Sequence, residues 1–100
     1  MALRPKLSNN RKRKIRMLLG RAFEALQSGE HEQCERLCKE IDGIQPGNAD
    51  AAYLRGVLAR DCDQCEQAES HFCKAIEAAP KRVDFVAALA GLYLSVGEYK

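Results

Sequence analysis

The chain has no tryptophan and no threonine, and only six aromatic residues among its one hundred. Sheets are built from runs of β-branched and aromatic residues in alternation, and such runs are missing here. Long apolar runs are missing too. The longest stretch near the start, Ile15-Arg16-Met17-Leu18-Leu19, is short and holds Arg16, so it is neither a signal peptide nor a membrane span. There is no GxSxG, no glycine-rich phosphate loop and no HExxH. With two histidines in all, His31 and His71, nothing in the chain composes a catalytic constellation, and no cofactor is expected. The five cysteines are an odd number, which rules out a complete disulfide framework within one chain. A reducing, cytoplasmic location is the expectation.

What is present favours helix. Ala, Leu, Glu, Lys and Arg are frequent, 46% of residues are hydrophobic and 30% are charged. The net charge of +2 hides an asymmetry. Up to Arg21 there are eight cations and no acid, whereas the remainder has eight cations and fourteen acids. The chain is a basic head on an acidic body.

Apolar residues at three- and four-residue spacing predict five helices, over about 10–27, 30–42, 49–61, 64–78 and 81–96. Ser8, Asn9 and Asn10 are N-caps for the first. Ser28-Gly29, Asp61-Cys62-Asp63 and Gly97 are breaks, and Gly43, Pro46, Gly47 and Pro80 end helices.

The segments repeat. Shifted by 34 residues, Pro46 falls on Pro80, and Ala22 falls on Gly56 and then Ala90. Leu18, Ala52 and Val86 align, as do Gly29, Asp63 and Gly97; Cys34 meets Ala68, and Cys38 meets Phe72. Small residues in fixed columns let two helices of a hairpin approach closely, and larger neighbours fill the space around them.

A 34-residue helix–turn–helix unit with glycine, alanine, aromatic, alanine and proline at Gly56, Ala68, Phe72, Ala75 and Pro80 resembles the tetratricopeptide repeat. The resemblance runs from Ile15 to Lys100. It implies an all-α fold, a right-handed α-α superhelix of about two and a half repeats. Residues 1–9 are then a flexible lead-in, 10–48 a first repeat with a basic helix extension, 49–82 a second repeat, and 83–100 a truncated third. The pattern departs from the family at Leu18, Ala52 and Val86, where a large aromatic is usual, and at Arg21 and Arg55, where leucine is usual. Both arginines are expected to lay their stems on the core and put their heads in water. The fifth helix has no partner after it, which predicts either the N-terminal part of a longer protein or self-association through that helix.

By the same resemblance, the first helix of each unit lines a concave groove, presenting Leu19, Phe23 and Leu26, then Tyr53, Val57 and Arg60, then Ala87, Gly91 and Leu94. This face is mostly apolar and lacks the Lys, Asn and Arg with which some family members grip a carboxylate tail. The expected role is protein–protein interaction or scaffolding, with a peptide segment or partner domain in the groove. Two alternatives belong to other classes. Tetratricopeptide arrays also precede bacterial sulfotransferase or sugar transferase domains. The basic run Arg11, Lys12, Arg13 and Lys14 also suits an anchor for nucleic acid or an anionic membrane, although no aromatics interleave it.

Two cysteine patterns call for a structural answer. Cys62-Asp63-Gln64-Cys65 is a CxxC, and His31, Cys34 and Cys38 lie on adjacent turns of one helix. Zinc sites use such spacings, but Cys34 and Cys38 also occupy apolar columns, so no metal is expected.

Overall fold

The computed structural model describes residues 7–97, with side chains up to Ser95. Residues 1–6 of the expected lead-in, and Tyr99 of the expected third repeat, lie outside the described residues. Five helices follow one another: α1 (Asn9–Gln27), α2 (His31–Ile44), α3 (Ala49–Asp61), α4 (Cys65–Ala78) and α5 (Val83–Gly97). There is no strand among the described residues, and no helix is long and apolar enough to cross a membrane. The architecture is all-α, an α-α repeat superhelix. α1 packs on α2 and α3 on α4 as hairpins, while α2–α3 and α4–α5 contacts join them. The result is a slab of 47 × 35 × 18 Å, whose thin dimension is about two helix diameters.

Local chemistry sets the helix ends. Ser8 Oγ accepts the Arg11 amide at 3.2 Å and caps α1. Asn48 Oδ1 accepts the Ala51 amide at 2.9 Å and caps α3. The second helix of each hairpin has no side-chain cap. Its first residues are held by the preceding turn instead. The Glu30 amide donates to the Ala25 carbonyl at 2.8 Å, and 34 residues later the Gln64 amide donates to the Ala59 carbonyl at 2.8 Å. Both are the six-residue bond of a Schellman cap, which needs a left-handed residue one position earlier. Gly29 takes that place with φ 76°, and Asp63 takes it with φ 59°.

One helix end differs from expectation. Gly43 does not stop α2, which runs on to Ile44. A lone glycine only weakens a helix; here Pro46 and Gly47, at φ 76°, make the turn.

The core lies in two clusters. Ile15, Leu18, Ala22 and Ala25 of α1 meet Cys34, Leu37, Cys38 and Ile41 of α2 over Ala51, Leu54 and Leu58 of α3. Val57 and Ala59 of α3 meet Ala68 and Phe72 of α4 and Leu92 of α5. Arg55 corrects the expectation of a solvated head. Its side chain is only 22% exposed, and its guanidinium is clasped by Asp42 and by Glu35, the latter at 3.5 Å, both on α2. Arg55 Nε is buried and its geometry to Glu35 falls short of a hydrogen bond. Arg21 stays exposed, as expected.

Candidate partner-binding site

The predicted groove residues divide into three kinds. Leu19 and Leu26 are half-buried and pack against the core, Leu26 touching both clusters. Tyr53 is half-buried between two rings. Its centroid lies 5.2 Å from Phe85 in a stacked arrangement and 5.8 Å from Phe72 in a tilted one. Val57 is 7% exposed and belongs to the second cluster, so as the helices stand it offers a partner almost no surface. Phe23, Arg60 and Leu94 are the freely presented members. Phe23 is 45% exposed and Leu94 71%, and Arg60 lies 3.8 Å from Asp61. Ala87 and Gly91 are exposed on α5.

Two open clefts lie between α2 and α4, away from those residues. One of about 450 Å³ is lined by His31, Glu35, Arg55, Cys62 and His71, among others. A second of about 580 Å³ continues it past Asp42, Ala52, Arg55, His71 and Lys74. Arg55 and His71 border both. Ala52 and Arg55 stand where the repeat pattern has a large aromatic and a leucine, so the small side chain and the tethered guanidinium leave the cleft unfilled. Desolvation, helped by Lys74 and Arg55, holds the His71 imidazole below its usual pKa. Sequence reading missed this cleft; the signal available was the pair of departures at Ala52 and Arg55.

The cysteines separate by environment. Cys34 and Cys38 are fully buried, and burial raises both thiols, Cys38 to about 12. They are core residues and do not face His31. His31 instead lies beside Cys62, with Nδ1 3.9 Å from Sγ. Cys62 and Cys65 are exposed and Cys73 is half-buried, and all five thiols are free. Among the described residues no three metal-binding side chains converge.

Arg11, Lys12, Arg13 and Lys14 are all exposed on the first turns of α1. None of them forms an ion pair among the described residues. Where the next connection is made, charge is used locally. Arg82 donates to both Asp84 oxygens, at 3.0 and 2.7 Å, pairs with Asp50 at 3.2 Å, and lies 4.3 Å over the Phe85 ring. The Asp84 bond raises the Arg82 guanidinium and lowers the Asp84 carboxyl. Asp50, at the start of α3, is therefore already engaged.

No family model matches the chain, and no curated protein matches it. A solved structure does. The chain is similar to a mutant O-GlcNAc transferase from Thermobaculum terrenum, at 27% identity and a TM-score of 0.77. The similarity covers 85% of this chain and 16% of that chain. This chain therefore corresponds to a small part of that protein, and the likeness supports the tetratricopeptide resemblance at the level of fold.

Proposed function

We propose that this chain is a protein–protein interaction module of two and a half tetratricopeptide-like repeats, divided at residues 48 and 82. A peptide segment or partner domain lies across the inner face of α1, α3 and α5. The observation that carries this reading is Phe23, exposed at 45% on α1 and flanked by the half-buried Leu19 and Leu26. Tyr53 and Val57 form the floor, Arg60 a charged rim, and Leu94 the far edge. The binding step is passive: a rigid face buries apolar groups that the partner brings, with little reorganisation. A cytoplasmic setting goes with this reading, because its free thiols need a reducing medium.

A photo-crosslinking side chain placed at Phe23 tests it. Position 23 is expected to yield a discrete adduct that Arg60→Glu suppresses, while the same probe at the exposed Lys39 yields none. Equal yields at both positions would overturn the reading.

A second reading has its own observation. Because the similar transferase is much longer than this chain, the module also suits the repeat region of a larger sugar transferase. An antibody to residues 30–45 would then detect a cellular polypeptide far heavier than 11.2 kDa that carries sugar-nucleotide-dependent transfer. A polypeptide of 11.2 kDa alone would remove it.

A further inference from the structure

Five residues of α1 fall on one straight line: Lys12, Arg16, Leu19, Phe23 and Leu26, spaced by four, three, four and three residues. The line changes character halfway. Leu19, Phe23 and Leu26 are its apolar half and belong to the groove face. Lys12 and Arg16 are its charged half. Both are exposed, and neither forms an ion pair among the described residues.

The following repeats do not share this charge. Shifted by 34 residues, the column of Lys12 holds Pro46 and Pro80, and that of Arg16 holds Asp50 and Asp84. Arg82 pairs with both aspartates, with Asp50 at 3.2 Å and with Asp84 at 2.7 Å. The acids at this level of α3 and α5 are thus neutralised within the chain, whereas the cations of α1 are not. Lys12 stands four residues before Arg16, and Arg13 three before it, so like charges repel along the helix surface. Residues 1–6 add Arg4 and Lys6 and no acid, so that segment supplies no counter-charge.

We propose that the groove takes a segment with two chemical halves: an apolar anchor that packs on Phe23 between Leu19 and Leu26, and two acidic side chains that reach Lys12 and Arg16. This rests on the groove reading and adds to it the partner's charge and spacing. The two cations stand about 6 Å apart along the helix axis, so one terminal carboxylate would satisfy only one of them. Arg16 lies about 10 Å and Lys12 about 16 Å from Phe23 along the same axis. An extended segment covers those distances in about three to five residues, and a helical one in about seven to eleven. A duplex nucleic acid also offers negative charge, but its backbone brings nothing apolar to cover Phe23.

A phage-displayed library of random peptides tests this, at about 16 residues each, long enough for every one of these spacings. Peptides selected on the 100-residue chain are expected to carry an apolar anchor and two acids at one of those separations. Selection on a Lys12→Gln, Arg16→Gln double variant should keep the anchor and lose the acids. Both side chains are exposed and unpaired, so circular dichroism should show the fold intact. When the acids of a selected peptide become glutamine, fluorescence anisotropy at low salt should show a loss of affinity of about five- to tenfold, and no such loss on the double variant. Anchors enriched without acids, or acids still enriched on the double variant, would overturn the proposal and leave the groove reading standing. Acids enriched without anchors, or no enrichment at all, would overturn both. A random-sequence DNA duplex that outbinds every selected peptide, and loses that affinity in the double variant, would assign Lys12 and Arg16 to phosphate and overturn the acidic-segment proposal.

Discussion

The Phe72 ring is pressed against the bare backbone of Gly56. A β-carbon built at position 56 would come within 2.5 Å of both Cδ1 and Cε1 of the Phe72 ring. Phe72 is fully buried, so the ring cannot swing away. α3 and α4 are thus locked by one ring on one missing side chain. Gly56→Ala gains about 0.5–1 kcal/mol of helix propensity but overpacks the core at about 1–3 kcal/mol. A net loss of about 1–2 kcal/mol is expected on thermal or urea unfolding. Combining it with Phe72→Leu should return part of that loss. Independent, additive effects in the double variant would show that the two residues do not share the contact.

Asp63 holds a left-handed conformation, φ 59°, in the turn where the preceding hairpin has Gly29. Both turns close with the same amide-to-carbonyl bond at 2.8 Å. Aspartate tolerates this region better than most residues but still pays about 1 kcal/mol of strain. Asp63→Gly relieves the strain and loses part of the gain to a more flexible unfolded chain. The expected outcome is a modest stabilisation, about 0.3–1 kcal/mol by chemical denaturation. Gly29→Ala should lose about 1 kcal/mol or more in the same assay. Equal responses at the two turns would contradict their equivalence.

The burial of Cys38 gives a pH dependence whose sign is fixed. Its thiol titrates near 9 when the chain is unfolded and near 12 when folded. The folded state therefore keeps a proton that the unfolded state gives up. The stabilising contribution is whole below pH 9 and is lost as pH rises from about 9 to about 12. Urea midpoints should fall over that window, and Cys38→Ala, though less stable at pH 7, should fall less steeply. In native protein a thiol reagent should modify the exposed Cys62 and Cys65 quickly, and Cys34 and Cys38 only after unfolding. Fast labelling of Cys38 would place it outside the core.

The repeat and the helix limits were legible because they depend on local spacing. α3 falls on its predicted residues, and α1 begins one residue early. What was hidden depends on partners far along the chain. Nothing around Tyr53 announces that Phe85, 32 residues later, will stack on it. The same holds for Arg55, read as a solvated head, which meets two acids of the preceding helix. Val57 was placed on the groove from its repeat position alone, but α5 brings Leu92 over it. Leu19 and Tyr53, attractive contact residues in the sequence, serve packing as well, so substituting them disturbs the fold together with any binding.

Arg55 gives a prediction of that kind. A buried ion pair need not stabilise, because desolvating the charges offsets their attraction. Arg55 also has a buried Nε without a hydrogen bond. Arg55→Leu restores the usual residue of the repeat and fills the cleft between α2 and α4. It is expected to leave unfolding free energy within about 1 kcal/mol of the parent, or to raise it. Asp42→Ala, which leaves the guanidinium half-buried and short of a partner, should be the more harmful change. The opposite ranking would mean that the ion pair itself holds α3 to α2.

Tyr53 determines how firmly α5 is held. α5 meets the rest of the chain through the Phe85 ring against Tyr53, through Leu92 in the second cluster, and through Arg82 stacked over Phe85 at the helix start. Ala88 and Leu89 add half-buried contacts to the second cluster, while Val83, Val86, Tyr93 and Leu94 are open. Local opening free energy follows such contacts. In Tyr53→Ala, Phe85 loses its stacking partner and Phe72 its tilted neighbour; because Tyr53 is half-buried, the loss falls below the about 3–5 kcal/mol of an aromatic removed from a core. Hydrogen exchange should then show α5 amides losing protection first and by the largest factor. Those of α1 and α2, against whose cluster Tyr53 also packs, should change by a smaller factor. Arg82→Ala should loosen the first turn of α5 by a smaller amount, about 1 kcal/mol or less, because its ion pairs and ring contact are exposed to water. Uniform loss of protection across all five helices would show instead that the chain opens as one cooperative unit.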